Sequence, residues 1–490
     1  MKRGISFACI GAAVAAVVAL SVTSSSAPVA TGVSPDAHRI VFTPAAVSWV
    51  LLKQDDTPPS EADCYAGGFR CFNPTSMANA YNIPPLYAAG FNGRGMTIAV
   101  IDSFGSDTIR HDLHVFNQQF GLPPMCGEEG VACTPGMPTF SILSLQGSPA
   151  TKAPPPNNGT GQEDRSAWAI ETSLDVEWAH ATAPGANIVL VTTPTAETLG
   201  VQGFPQMMNA IQYIVDNDLA DVVSMSLGAG EGTFHNGLAA LQQMRQGIVD
   251  AQVHGITILA SSGDDGTSNP MKQPVKNPAL IPYPSVGWPA SDPLVTAVGG
   301  TRLCVDAVTG IGVDNVNPPS VCDTTTQRET AWPGSGGGYS ILFPRPSYQN
   351  TLPAGSSYVG SSVGAPPPNV NMRGIPDVAY QASPGTAVLV FTDSQWFAVG
   401  GTSASSPQWA GLVAMAGQIA GHRLGLINPA LYQIASNPAK YAADFFDVTV
   451  GSNQITSIPG YPATPGWDAV TGLGTPNAAN LVPDLAAAAP

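Results

Sequence analysis

The chain has 490 residues, 18 lysines and arginines against 34 aspartates and glutamates, a formal charge of −16, and only 11% charged residues. That length supports a sizeable core, arranged as one large α/β domain or as several smaller ones. So acidic a balance disfavours nucleic acid as a partner, and few native ion pairs is a composition compatible with acid tolerance.

Met1-Lys2-Arg3 opens a short basic segment, Ile5 to Val22 is apolar and small, and Ser25-Ser26-Ala27 or Pro28-Val29-Ala30 offers a small-residue cleavage site. Residues 1–30 therefore read as a secretory signal peptide, and a secreted protein without stable membrane insertion is expected. With Cys9 in that leader, six cysteines remain, and the neighbours Cys64/Cys71, Cys126/Cys133 and Cys304/Cys322 form short, locally closable loops expected to be disulfides. Their spacing lacks the close Cys-x-x-Cys pairs of a zinc site.

Residues 31–73 show little periodicity and read as a short N-terminal extension, with the ordered domain, 74–490, beginning near Ser76. From there strand-like and helical patterns alternate: strand Met96 to Asp102, helix Asp107 to Gln119, a Pro/Gly/Asn-rich loop around 145–162, and helix Asp164 to Thr182. Strand Asn187 to Thr193, helix Pro205 to Asp218, strand Asp221 to Ser226, helix Gly237 to His254 and strand Ile256 to Ser261 follow. This alternation predicts a parallel sheet covered by helices on both faces, with chemistry at the carboxyl ends of the strands. The Gly/Pro/Ser/Asn-rich stretches 263–292 and 305–375 read as long surface or cleft-forming loops. Thr386 to Gly400 reads as extended and Pro407 to Ala420 as a buried apolar helix carrying Trp409, Leu412, Val413, Met415 and Ile419.

Between those last two segments lies Gly400-Gly-Thr-Ser403-Ala-Ser-Ser-Pro407. A serine at a glycine-flanked junction into a helix suits a nucleophile: small neighbours admit substrate backbone, and the helix N-terminus favours developing negative charge. The same residues also suit plain helix capping. On the helix Asp164 to Thr182, Glu171 and Asp175 stand four apart on one face beside Ala167, Ile170, Leu174 and Trp178. Two neighbouring carboxyls raise the pKa of at least one, which suits a proton acceptor, though the same spacing also suits a solvated helix face. Ser262-Gly-Asp264-Asp-Gly266 follows a strand, where a protonated carboxyl can donate to an oxyanion or simply close a turn.

Glu171-Thr-Ser-Leu-Asp175 running on to Gly185, Ser224 to Gly228, Ser262 to Gly266, Ala297 to Leu303, Gly336 to Pro344, the serine motif and Gly466 to Pro476 together resemble the sedolisin family of serine-carboxyl peptidases. The resemblance runs from about Pro74 to Pro476. It implies a subtilisin-like, doubly wound, mostly parallel α/β fold, Ser403 as nucleophile, Glu171 as general base, Asp175 orienting it, and Asp264 in the oxyanion hole. Such an enzyme hydrolyses peptide bonds in proteins at acidic pH through an acyl-enzyme; endopeptidase action is expected ahead of tripeptidyl-peptidase action, and a monomer is expected. The resemblance further implies one structural calcium ion in a C-terminal loop region, held by the carboxylates of Asp447 and Asp468 and the carbonyls of Val448, Thr464 and Gly466. Mixed carboxylate and carbonyl oxygens suit that ion.

The chain departs from the family pattern in its short N-terminal region, in Leu227 where tryptophan is common, in Gly400 for serine, and in Thr464 for glycine. Two other readings compete. One is an ordinary Ser-His-Asp subtilase using the strand-end Asp102, for which no histidine occupies the Glu171 position and His180 lies nine residues on. The other is an inactive secreted protein that keeps the scaffold for binding. His111 and His114, three apart, read as a partly exposed helix face or as a metal pair.

Overall fold

Strand β4 (Thr97–Ser103) alternates between two hydrophobic cores: Ile98 and Val100 face one, Ala99 and Ile101 the other. Strand β6 (Asn187–Thr193) does the same with Ile188 and Leu190 against Val189 and Val191. Their near-continuous apolar runs follow from burial on both faces. The computed structural model describes residues 42–44, 48–145, 165–194, 203–234, 237–242, 244–270, 280–313, 322, 327–357 and 371–489. The expected leader, residues 1–30, lies outside the described residues.

The central strands run parallel in the order β11 (Thr296–Leu303), β9 (Thr257–Ser261), β7 (Val222–Met225), β4, β6 and β5 (Phe140–Ser144). At the far edge β11 also pairs with antiparallel β12 (Glu329–Ala331) and parallel β15 (Val378–Gln381). A separate antiparallel ribbon joins β13 (Gly338–Pro344) and β14 (Met372–Ile375). Helices α5 (Arg165–Thr182) and α9 (Thr402–Ala420) fill the first core with Leu174, Trp178, Trp409 and Leu412. Helices α6 (Gly203–Asp216) and α8 (Gln246–Val253) fill the second with Met207, Ile211 and Ile248. This is the parallel, doubly wound α/β architecture expected from the alternating pattern, and the subtilisin-like one that the resemblance implies.

Helices α5 and α9 approach closely because of Gly411: a Cβ there would lie 2.7 Å from that of Thr182. Side chains of ordinary size would force the two helices apart and with them the groups at their other ends.

The stretch expected to be an extension is built into the domain. Strand β2 (Ser48–Lys53) pairs with β17 (Gln395–Gly400), which pairs with β16 (Thr386–Thr392), which pairs in parallel with β3 (Arg70–Phe72). Strand β1 (Phe42–Pro44) pairs with β8 (Leu227–Gly230), whose other neighbour is β10 (Gly287–Trp288). The partners of β1, β2 and β3 are all distant in sequence, so no local period marks them. Helix α1 (Glu61–Ala66) is stapled to β3 by the Cys64–Cys71 disulfide, and Glu61 accepts from Arg70 and from Cys71 N. The other two expected disulfides, Cys126–Cys133 and Cys304–Cys322, are also formed. Short helices α2 (Pro74–Ala80) and α3 (Pro84–Ala88) lead into β4, and α4 (Ile109–Phe120) leads out of it.

Three local expectations are corrected. Thr386 to Gly400 is a hairpin, turning at Asp393 and Ser394, both with φ near +50° to +60°. Such a two-residue turn usually announces itself by glycine or asparagine, which are absent. The helix expected over Gly237 to His254 is two, α7 (Leu238–Leu241) and α8. The serine helix begins at Thr402, not Pro407, so the proline lies within it. Among the described residues no helix is long and apolar enough to cross a membrane.

Candidate active site

The residue before α9, Gly401, has φ 140° and ψ 160°, backbone that side chains disfavour, and its N–H donates to Ala382 O. That turn points the first N–H groups of α9 at β9. Asp264, just beyond the end of β9, accepts from Thr402 N at 2.7 Å and Thr402 Oγ1 at 2.8 Å through Oδ1, while Gly263 N donates to Thr402 Oγ1 at 3.1 Å. Ser403 is the next residue, in the first turn of a 19-residue helix whose N-terminal dipole favours a neighbouring negative charge. Ser405 Oγ donates to Gln381 O at 3.2 Å, and Ser406 bonds Ser224 on β7 at 2.9 Å, so the turn is seated against two strands.

Across from it, Glu171 and Asp175 are fully buried on α5. Asp175 Oδ1 accepts from Ser226 Oγ at 3.0 Å, whereas neither Glu171 oxygen nor Ser403 Oγ closes a hydrogen bond. Burial pushes Glu171 well above the usual carboxyl range; the Ser403 and Ser226 hydroxyls oppose this, and the Asp102 and Asp264 charges add to it. Asp175 is likewise held high by burial, then by Asp102 and Glu171. Asp102, fully buried on β4, is pushed up to about 8 by burial, against a Thr172 hydroxyl. Among the described residues no cation enters the balance of these three carboxyls, so they titrate as a unit and hold protons where isolated carboxyls have lost theirs. A carboxyl beside a hydroxyl without a finished hydrogen bond is an arrangement that a bound substrate can tighten.

The four residues expected to form the site, Glu171, Asp175, Asp264 and Ser403, are thus brought together from two helices and a strand end. Asp102, considered only for the histidine-based alternative, joins the same cluster, and Ser226 was missed. Both stand where an apolar strand stops at the carboxyl edge, the signal that could have found them. His180, the histidine of the alternative, sits nine residues from Glu171, roughly 13 Å along the helix axis. Its Nε2 meets Pro123 O at 2.8 Å, and burial pushes it down to about 4, so it is neutral. His111 and His114 pair separately, with Glu129 at 3.0 Å and Glu128 at 3.2 Å, and among the described residues no group of three or more His, Cys, Asp or Glu side chains could hold a metal.

Beside Asp264 opens a recess that leads out to solvent, lined by Leu227, Gly228, Gly263, Asp265, Gly287 and Trp288. Along β8, at its rim, the chain's own β1 runs antiparallel, with Pro44 opposite Leu227, Thr43 opposite Gly228 and Phe42 opposite Ala229; β1 also touches α5. An extended peptide therefore fits this edge by main-chain pairing.

The loops expected to hold calcium also meet. Gly466 N donates to Asp447 Oδ2 at 3.0 Å, and Thr464 N to Asp468 Oδ2 at 2.9 Å, while Asp468 Oδ1 accepts from Val470 N and Thr471 N, each at 2.9 Å. Burial raises Asp447 and pushes Asp468 up to about 7. One buried carboxyl and one exposed carboxyl around the same turn, with only main-chain and hydroxyl donors for company, fit a hard cation.

The Subtilase family model matches residues 157–429, more than half of the chain. Kumamolisin of Bacillus sp. (strain MN-32) is 31% identical over 437 residues, covering 87% of this chain and 65% of that protein. Tripeptidyl-peptidase 1 of Bos taurus is 33% identical over 343 residues, 66% of this chain and 53% of that protein. The chain thus spans between about half and two thirds of these relatives' lengths. A solved structure, Pseudomonas sedolisin (serine-carboxyl proteinase) complexed with two molecules of pseudo-iodotyrostatin, aligns at TM-score 0.62 and 26% identity, covering 84% of this chain and 97% of that one.

Proposed function

The chain belongs to the subtilase family, in its sedolisin branch of serine-carboxyl peptidases, and we propose that it is a secreted, acid-active peptidase cleaving peptide bonds in proteins. The observation that carries this reading is the sharing of one buried carboxyl cluster by Ser403 and Glu171, with no imidazole in reach among the described residues.

Ser403 Oγ attacks the scissile carbonyl carbon as its proton passes to Glu171. A base desolvated this strongly holds a proton readily once it has taken it. Asp175, held by Ser226, and Asp102 keep the cluster's charge low enough for Glu171 to accept that proton and return it to the leaving amine. The carbonyl oxygen, now negative, is met by Asp264, whose Oδ1 is occupied by Thr402 and whose other oxygen donates while protonated. The amine leaves, a water deprotonated by Glu171 attacks the Ser403 ester, and the acyl product departs. Acidic conditions favour the protonated Asp264 this scheme needs.

Endopeptidase action is supported by β1, which lies along β8 with chain continuing on both sides of it, so that edge needs no chain terminus. Secretion is supported by three disulfides and by the leader pattern at residues 1–30. Asp447, Val448, Thr464, Gly466 and Asp468 would hold one calcium ion, which supplies no chemistry and ties the 447–448 and 464–468 loops together.

Digestion of a denatured protein from pH 3 to 8 tests the reading, comparing the full chain with Ser403→Ala. Acid-restricted cleavage that the variant lacks supports it; identical behaviour of the two proteins favours the scaffold acting as a binding protein. Internal fragments from a long unstructured peptide support endopeptidase action, and a ladder of tripeptides rejects it.

A further inference from the structure

We propose that Asp265 makes this site select a lysine or arginine side chain at the residue whose carbonyl is attacked; the inference rests on the peptidase reading above. Asp264 meets the oxygen of that carbonyl, so the side chain of the same residue leaves within one residue's reach of Asp264. The recess beside it shares Asp264 as a wall and is the space open to that side chain. Its mouth is kept clear by glycine: a Cβ at Gly263 would meet nothing within 4 Å, and one at Gly287 nothing nearer than 3.7 Å.

Asp265 lines this recess, and its carboxylate has no hydrogen bond or ion pair with any described residue; only its backbone carbonyl is engaged, by Ser268 N at 2.8 Å. Other partly buried aspartates of the chain are satisfied: Asp221 receives Arg423 Nε at 2.6 Å and Thr97 N at 2.7 Å. Burial without a compensating donor holds the Asp265 carboxyl up at about 6, the behaviour of an anion lacking its counter-charge. A bound ammonium or guanidinium supplies that charge, while its methylene stem lies against Trp288 and Leu227.

The test uses two internally quenched peptides, identical except for arginine or leucine at the cleaved position, assayed with the full chain, Asp265→Asn and Asp265→Glu. The readout is the ratio of kcat/KM for arginine over leucine, so a general loss of activity cancels. We expect the full chain to favour arginine by roughly tenfold or more, Asp265→Asn to abolish the preference, and Asp265→Glu to restore most of it. A ratio unchanged in Asp265→Asn, or a leucine preference in the full chain, overturns the inference and leaves the peptidase reading standing. Cleavage of neither peptide by the full chain removes the peptidase reading, and this inference with it.

Discussion

Two sets of buried carboxyls in this molecule are treated in opposite ways. Asp377, fully buried, receives Arg373 twice at 2.8 and 2.6 Å, Ala297 N at 2.8 Å and Tyr432 OH at 2.9 Å. Asp102, Glu171 and Asp175, equally buried, face one another with serine and threonine hydroxyls and, among the described residues, no cation. The first arrangement is the cheapest way to keep a charge in a core; the second keeps protons that can move. A fold that neutralises one carboxylate so completely has no general difficulty in doing so, which makes the uncompensated cluster beside Ser403 a feature of the site and not of the packing.

The largest test of this contrast is Glu171→Gln. It should lower kcat on a quenched peptide on the order of 10³-fold or more, with thermal stability unchanged or raised because no hydrogen bond is lost. Retained activity with lost stability would place Glu171 among the packing residues instead. Arg373→Met should do the reverse, costing about 3–5 kcal/mol in urea unfolding by leaving Asp377 buried and unpaired, and Arg373→Met with Asp377→Leu should recover much of it. Equal stability of the single and double variants would break the comparison from the other side.

A third test follows from proton linkage. Asp102, at about 8, and Asp112, at about 7, both lie above their ordinary 3.8, each chiefly through burial. The folded state binds these protons more tightly than the unfolded chain, so stability is fully present below about pH 4 and is lost as pH rises to between 7 and 8. Unfolding midpoints should fall across that interval, with a total loss of up to about 10 kcal/mol, and Asp102→Asn should flatten the upper part. A midpoint rising from pH 5 to 8 would contradict the uncompensated cluster. The smallest effect concerns the C-terminal loops: calcium at a hundredfold excess over its Kd should add about 2.7 kcal/mol, and Asp468→Asn should abolish the increment. No shift on chelation followed by calcium addition would remove that ion from the account.

Much of this was legible in the chain because its causes are local. The runs at Met96 to Asp102 and Asn187 to Thr193 announce strands buried on both faces, the four-residue spacing of Glu171 and Asp175 puts both on one side of a helix, and three cysteine pairs lie close enough to close on themselves. Strands β1, β2 and β3 were invisible because their residues have no periodicity of their own and become strands only by borrowing hydrogen bonds from β8, β16 and β17. The hairpin turn at Asp393-Ser394 was hidden for another reason: its positive φ values are sustained partly from outside, Asp112 accepting from Asp393 N at 3.1 Å.

The residues of Gly400 to Pro407 and Glu171 to Asp175 by themselves offered a serine at a helix start and two carboxyls on one helix face, since composition and helical spacing are properties of neighbours along the chain; helix capping and a solvated face suited them as well, and their roles came from the family resemblance. Which carboxyl faces that serine, that Asp102 stands with it, and that Asp265 is left without a partner among the described residues were decided only when the strands of one sheet brought their carboxyl ends to a common edge. Burial and the distance between charges are set by packing, and they alone determine whether an aspartate is a solvated anion, half of an ion pair or a reservoir of protons.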